Sequence, residues 1–306
     1  MPDQSFHPDL RMAGFLPRTV VGPRSLPVMR LLTRGAPASP RSGADVVPVE
    51  PGVSVRLFRP VPALRPRPAL LWIHGGGYVF GTARQEDRLC RHFAAQLGIV
   101  VASVEYRLAP EYPFPVPLND CHAALRWLAR QPDVQPDRIA IGGASAGGGL
   151  AAALSMLARD RGEIHPVLQL LSYPMLDDRT TAHADIDRRR LRMWNQNSNR
   201  FGWRSYLGPV HGVDVPPLAA PARCEDLSGL PPAWIGVGTC DLFHDEDITY
   251  AHRLQAAGIT CTLRVVPGAY HGFDIVEPKA GVSRQFLQSR TSALADALNN
   301  CGLTHS

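Results

Sequence analysis

The sequence predicts an α/β fold built on a mostly parallel sheet with helices on both faces. Two observations carry this. From about residue 53 onward, short apolar runs alternate with segments of helical spacing, the rhythm of repeated strand–helix–strand units. Most of the runs are apolar on both sides of the pleat, as strands covered on both faces require.

VSVRLF (53–58) alternates as a half-buried strand should. ALLWIH (69–74) and IVVASVEY (99–106) are buried-strand runs, and the helical segment between them, 83–98, ends on Gly98, which suits a left-handed cap. The 118–130 segment puts Cys121, Ala124, Leu125 and Leu128 on one helical face. RIAIG (138–142) is a short buried strand, followed by an Ala- and Leu-rich helix over 145–161. VLQLLSYP (167–174) and AWIGVGT (233–239) are further strands. A helix over 245–258, a strand CTLRVVPG (261–268) and a closing helix over 283–300 complete the pattern.

Two stretches break the rhythm. Residues 1–45 are rich in Pro, Arg and Gly with weak helical periodicity, an irregular arm with one or two short helices. Residues 177–228 hold charges, prolines and aromatics but no strand pattern, and they separate two strands that should be neighbours. So long an insertion reads as a cap over a ligand site rather than a peripheral excursion. The expected organisation is an arm, 1–45, contributing to a cap, a main domain of 46–176 and 229–306, and a cap insertion, 177–228.

Composition narrows the function. Of 306 residues, 45% are hydrophobic and 19% charged, which excludes extensive disorder. The net charge of +5 comes from arginine, with Lys279 the lone lysine. Apart from Arg188, Arg189, Arg190 and Arg192 the arginines are scattered, without the stripe and interleaved aromatics of a nucleic-acid binder. Six cysteines, at 90, 121, 224, 240, 261 and 301, form no C-x-x-C pair and no zinc spacing, so no metal is expected. They read as buried free thiols of a reducing compartment. The N-terminus lacks signal-peptide form and no stretch approaches a membrane span, so the expectation is a soluble, cytoplasmic protein without stable membrane association.

Chemistry is written most clearly in Gly143-Ala144-Ser145-Ala146-Gly147, a G-x-S-x-G between a strand and a helix. That context strains the serine backbone and pushes its hydroxyl out at the carboxyl edge of the sheet. His74-Gly75-Gly76-Gly77 follows strand 69–74 and offers glycine amides for an oxyanion, each such donor worth about 3–4 kcal/mol. Gly76 and Gly77, with the amide of Ala146, are the candidate donors; Gly75 takes a place if the loop turns the other way. The serine needs a base, and the base an orienting acid. His271, just after the last strand, is the best-placed base, while His74 precedes the glycines and reads as a brace for that loop. Asp241 directly follows strand 233–239 and is the candidate acid; Asp245 and Glu246 read as solvated residues at a helix N-terminus. The chain order Ser145, Asp241, His271 is that of a strand–elbow–helix hydrolase.

With HGGG (74–77), EYRLAPE (105–111), GASAGG (143–148), Asp241-x-x-x-Asp245-Glu246 and HGF (271–273) in place, the chain over about 55–300 resembles the hormone-sensitive-lipase-like branch of the α/β-hydrolases, the microbial carboxylesterases. The resemblance implies an α/β-hydrolase fold with an eight-stranded, mostly parallel sheet and a helical cap formed by the arm and the insertion. FGWRSYLG (201–208) also looks like cap sequence of that family. The implied activity is hydrolysis of small short- to medium-chain acyl esters, with no metal or organic cofactor. Met193, Trp194 and Phe201, with Trp203 and Tyr206, are the aromatic and thioether candidates for an acyl pocket in the insertion. The resemblance also implies a homodimer paired through 261–268 as an edge strand.

The sequence departs from the family pattern at Ala144, where Asp or Thr is usual, at Glu105, and at Leu242, where Pro is frequent. None of these removes a candidate catalytic residue. The rival readings are an amidase or arylformamidase on the same machinery and a non-catalytic ligand-binding relative; such relatives lose the histidine that stands here as His271.

Overall fold

The strands are β1 (Asp45–Glu50), β2 (Val53–Phe58), β3 (Arg67–Ile73), β4 (Val100–Glu105), β5 (Val134–Ala144), β6 (Gln169–Ser172), β7 (Ala233–Cys240) and β8 (Cys261–Tyr270). They form one sheet in the order β1-β2-β4-β3-β5-β6-β7-β8. Only β2 runs against its neighbours, β1 and β4; every other pair is parallel. The computed structural model describes residues 6–34, 43–60, 65–180, 189–212 and 214–300. Arg188 and Cys301, singled out above, lie outside them.

Alternation along each strand feeds two cores. In β3, Leu71 and Ile73 join the core formed with α3 (Val116–Ala129), α4 (Ala146–Arg161) and α6 (His244–Ala256). Leu70 and Trp72 face the other way, toward α2 (Asp87–Leu97) and α8 (Gly281–Asn300). All four side chains are fully buried, and each such aliphatic contributes about 1.5–3 kcal/mol. This two-sided burial explains why the strand sequences read as unbroken apolar runs. A buried ion pair, Arg56 to Asp87 at 2.6 Å, links β2 to the start of α2.

The expected elements are present, with sharper boundaries. The helix expected over 83–98 is a 3₁₀ turn, Ala83–Glu86, running into α2, and Gly98 closes it with φ 64°. β5 begins at Val134 rather than 138, through exposed Pro136 and Asp137. β1 was not expected. DVVPVE is an outermost, half-exposed strand carrying Pro48, and such an edge shows no continuous apolar run. The arm holds α1 (Leu26–Arg34) and the insertion holds α5 (Gln196–Leu207), while α7 (Phe273–Val276) is a single turn after β8. β8 is the other sheet edge, and the arm touches its end where His7 donates to the Gly268 carbonyl at 3.0 Å. Among the described residues no helix is long and apolar enough to cross a membrane.

Arm and insertion are bonded to each other. Ser198 Oγ accepts from the amides of Val20 and Val21, both at 3.2 Å, and donates to the Val21 carbonyl. Arg192 Nε donates to the Ala13 carbonyl, the Met193 amide to that of Pro17, and Asn195 Nδ2 to Thr19 Oγ1. Two segments without strands are thereby tied to each other.

Candidate active site

β5 ends at Ala144 and α4 begins at Ala146, so Ser145 is a one-residue hinge with φ 56° and ψ −123°. A serine adopts that conformation only when its surroundings hold it. Ser145 N donates to Ser172 O at 2.9 Å, and its own carbonyl accepts from Gly149 N and Met175 N. The flanking glycines are steric requirements. A Cβ on Gly143 would collide with the Gly147 carbonyl, and one on Gly147 with the carbonyl of Ile73 on β3.

The structure brings Ser145, His271 and Asp241 together from the carboxyl ends of three strands. His271 Nε2 lies 3.0 Å from Ser145 Oγ, and His271 Nδ1 lies 2.8 Å from Asp241 Oδ2. The carboxylate can only accept, so Nδ1 carries the proton and Nε2 is left to accept from the serine hydroxyl. Asp241 Oδ1 accepts from Phe243 N at 3.0 Å, which fixes the carboxylate in turn. The imidazole is walled by Tyr173 at 4.9 Å and Phe243 at 5.2 Å, both edge-on, and by Trp194 at 6.3 Å. All three polar residues are buried.

β3 pairs with β5, so the glycine run leaves the sheet beside the elbow. Gly76 and Gly77 have φ of 124° and 57°, conformations open to glycine. Among the described residues, the amides of Gly75, Gly76 and Gly77 donate no backbone hydrogen bond, and Ala146 opens α4, where helix amides lack internal partners. His74 is buried beneath them. It stacks on Tyr106 at 4.3 Å and its Nδ1 donates to the Gly75 carbonyl at 2.7 Å. Burial lowers its pKa below the usual imidazole range. It is spent on bracing the loop.

A cavity of about 170 Å³ opens on Ser145 and His271, with Gly75, Gly76 and Gly77 in its wall. Met193 and Trp194 line it. Met193 itself has φ 64°. Phe201 does not line it, which corrects the expectation for that residue. It lies half-buried against the main core, because α5 turns Gly202 toward the site, where an added Cβ would meet the Gly77 carbonyl and Trp194. Trp203 and Tyr206 pack on Tyr78 instead, Tyr206 stacked on it at 4.0 Å. Val20 and Met29 from the arm, with Glu86, Tyr173 and Ile275, also line the wall, and no local pattern marks them.

Of the two acids read as solvated after β7, one needs correction. Asp245 is exposed and pairs with its neighbour His244 at 2.6 Å. Glu246 is buried rather than solvated: it accepts from the amides of Leu176 and Asp177 and from the Thr180 hydroxyl, tying the start of the insertion to α6. Asp247 is wholly buried, and neither of its oxygens has a partner among the described residues. Burial, with Glu246 and Asp241 nearby, raises its pKa well above the carboxylate range.

Comparison with known proteins accords with this arrangement. Residues 70–275 match a family model described as the alpha/beta hydrolase fold. Esterase LipI of Mycobacterium tuberculosis is 35% identical over 286 residues, covering 89% of this chain and 78% of that protein. Carboxylesterase NlhH of Mycobacterium tuberculosis is 37% identical over 247 residues, covering 74% of each chain. The solved structure of a bacterial heroin esterase superposes with a TM-score of 0.87 at 37% identity, covering 96% of this chain and 98% of the other.

Asp241→Asn is expected to lower ester turnover by a factor on the order of 10⁴, since it leaves the imidazole in the wrong tautomer. Asp245→Asn, with no path to His271, is expected to stay within about threefold of the parent. Steady-state rates of the two variants decide; a larger loss at Asp245 would reverse the assignment.

Asp247 gives a stability expectation. Its folded-state pKa lies above the unfolded value, so between the two the folded chain holds more protons and stability falls as pH rises. Asp247→Asn removes that contribution. The Tm difference, variant minus parent, is expected to be more positive at about pH 8 than at about pH 5.5 in thermal melts. An equal or smaller difference at the higher pH would contradict this.

Proposed function

The chain belongs to the α/β-hydrolase fold family, and we propose that it is a carboxylesterase cleaving short- to medium-chain acyl esters through an acyl-enzyme on Ser145. The observation that carries this reading is the relay from Asp241 through His271 to Ser145, with distances of 2.8 and 3.0 Å. His271 Nε2 takes the Ser145 proton as Oγ attacks the ester carbonyl, and Asp241 stabilises the imidazolium. The amides of Gly76, Gly77 and Ala146 hold the oxyanion, with Gly75 in reserve if the loop presents that amide instead. His271 then protonates the departing alcohol. Water, deprotonated by the same nitrogen, attacks the acyl-enzyme and restores the serine. Every group required is a residue of this chain, so no metal or cofactor is invoked.

The cap reading rests on the bonded arm and insertion, which supply Val20, Met29, Met193 and Trp194 to an apolar cavity of about 170 Å³. That volume lies below the usual range for drug-sized ligands and supports short acyl groups. Five described cysteines are free, four of them buried, which supports a cytoplasmic, reducing setting.

Ser145→Ala is expected to fold normally and lose ester turnover by on the order of 10⁴ or more. Circular dichroism, p-nitrophenyl ester assays with matched amides, and labelling by a fluorophosphonate test this together. Near-parental ester turnover in the variant overturns the nucleophile. Faster cleavage of amides than of matched esters by the parent makes it an amidase, and failure of the parent to label makes it a binding protein.

The proposal extends to a homodimer paired through β8, the outermost strand on its side of the sheet. An edge strand offers unpaired amides and carbonyls, and two of them related by a two-fold axis continue one sheet into the other. Light scattering at micromolar concentration is expected to report twice the monomer mass of 33.3 kDa. A clean monomer would rule the pairing out.

A further inference from the structure

Behind Ala144 lies a second cavity, about 200 Å³, that shares Gln85, Glu86, Ala144, Tyr173 and Ile275 with the cavity over Ser145. The first is mostly apolar in its lining residues. The second is not. Trp72, Ser283 and Arg290 line it, and the Trp72 indole N–H, the Ser283 hydroxyl and the Arg290 Nε–H have no hydrogen-bond partner among the described residues. All three residues are at least nine-tenths buried. Arg290 gives its other nitrogens to Asp274 at 2.9 Å and Ser172 at 3.3 Å, so Nε alone is left over.

Glu86 supplies the acceptor. It is 3% exposed, stands in both cavity walls, and its one described hydrogen bond is a long one, 3.4 Å from Gln85 Nε2. The Trp72 indole N–H favours its ionised form without meeting hydrogen-bond geometry. Burial raises the carboxyl to about 7, against Gln85 and Arg290, which lower it, and with Asp274, which adds to the rise.

We propose that this second cavity is a substrate subsite for a hydroxyl group carried on the acyl chain or the alcohol of the ester, with Glu86 and Ser283 as specificity residues. The inference rests on the esterase reading above. The choice of hydroxyl follows from the wall chemistry. The wall carries both signs, Glu86 and Asp274 against Arg88 and Arg290, with Asp274 and Arg290 paired to each other, so it favours a neutral polar group over an ion of either sign. A bare alkyl chain would cover three buried donors and give them nothing to bond, and a site built in this way discriminates against the analogue that lacks the polar group. A hydroxyl accepts from an orphan donor and donates to Glu86 at once. Ala144, a small residue beside the nucleophile, stands in the wall common to both cavities.

The test compares plain and ω-hydroxylated esters as a ratio of kcat/KM. One arm uses p-nitrophenyl alkanoates from butanoate to octanoate against their ω-hydroxy counterparts. The other uses alkyl acetates against the monoacetates of the matching diols. The parent is expected to prefer the hydroxylated partner at one chain length, in one arm, by at least about tenfold. Glu86→Leu and Ser283→Ala are each expected to shrink that ratio by about threefold or more, at unchanged far-ultraviolet circular dichroism. If Glu86→Leu does not fold, Ser283→Ala decides by itself. A parent ratio near one at every length in both arms overturns the subsite, as does a preference that survives the variants. Absence of turnover on all of these esters, with no fluorophosphonate labelling, overturns the esterase reading and the subsite with it.

Discussion

The site depends on one strained backbone position. Ser145 holds φ 56° because the chain must leave a strand and enter a helix across a single residue. Strain of that kind costs on the order of 1–3 kcal/mol and persists only where neighbours over-determine it. Here the neighbours are the Ser172 carbonyl, the amides of Gly149 and Met175, and two glycines that let β3 and the first turn of α4 close in. The other non-glycine residues with positive φ among those described are Tyr78, Tyr173 and Met193. Tyr78 follows the glycine run, Tyr173 packs on His271, and Met193 lines the cavity. Backbone strain is therefore concentrated at the carboxyl end of the sheet, where the chemistry is, and the two-sided core below carries its cost.

The bonding of the arm to the insertion is the second dependency. Neither the arm nor the insertion has a sheet to dock into, yet each supplies side chains to the cavity wall. Their hydrogen bonds are largely between backbone groups and short polar side chains, with Ser198 serving three partners in the arm. Such bonds have direction, whereas apolar contact does not, so they set the registry of the two segments. The Met193 amide bonded to Pro17 holds a left-handed residue at the cavity edge, and Trp194 is fixed by its indole on Asn199 at 3.1 Å. The cavity shape is thus a property of two sequence-distant segments at once.

That contrast explains what the sequence could convey. Ser145, Asp241 and His271 were legible because each stands at a strand end marked by glycine or by a break in an apolar run, a local signal. The glycine loop was legible for the same reason. Phe201 is hard to place from sequence because the buried face of α5 mixes polar Gln196, Ser198, Asn199 and Ser205 with Trp203, Tyr206 and Leu207, so no purely apolar stripe marks which aromatics face inward. Glu246 was misjudged because Asp245 beside it has the same chemistry and lies about 100° around the helix, so one is exposed and the other buried. β1 was invisible because a half-exposed edge strand with a proline has no periodicity to find. Val20 and Met29 reach the cavity through contacts that no local pattern encodes.

Asp241, Glu246 and Asp247 lie close together, and three carboxylates there would repel one another while drawing His271 in one direction only. Burial resolves the conflict. It raises both Glu246 and Asp247 well above the carboxylate range, so both are biased toward the neutral acid. Asp241 differs in where its donors sit: the His271 imidazole on Oδ2 and the Phe243 amide on Oδ1. The geometry of the turn after β7 therefore decides which of three neighbouring acids orients the histidine. What qualifies Asp241 is that one of its oxygens meets the imidazole N–H, whereas Glu246 spends its oxygens on Leu176, Asp177 and Thr180, and Asp247 has no partner among the described residues.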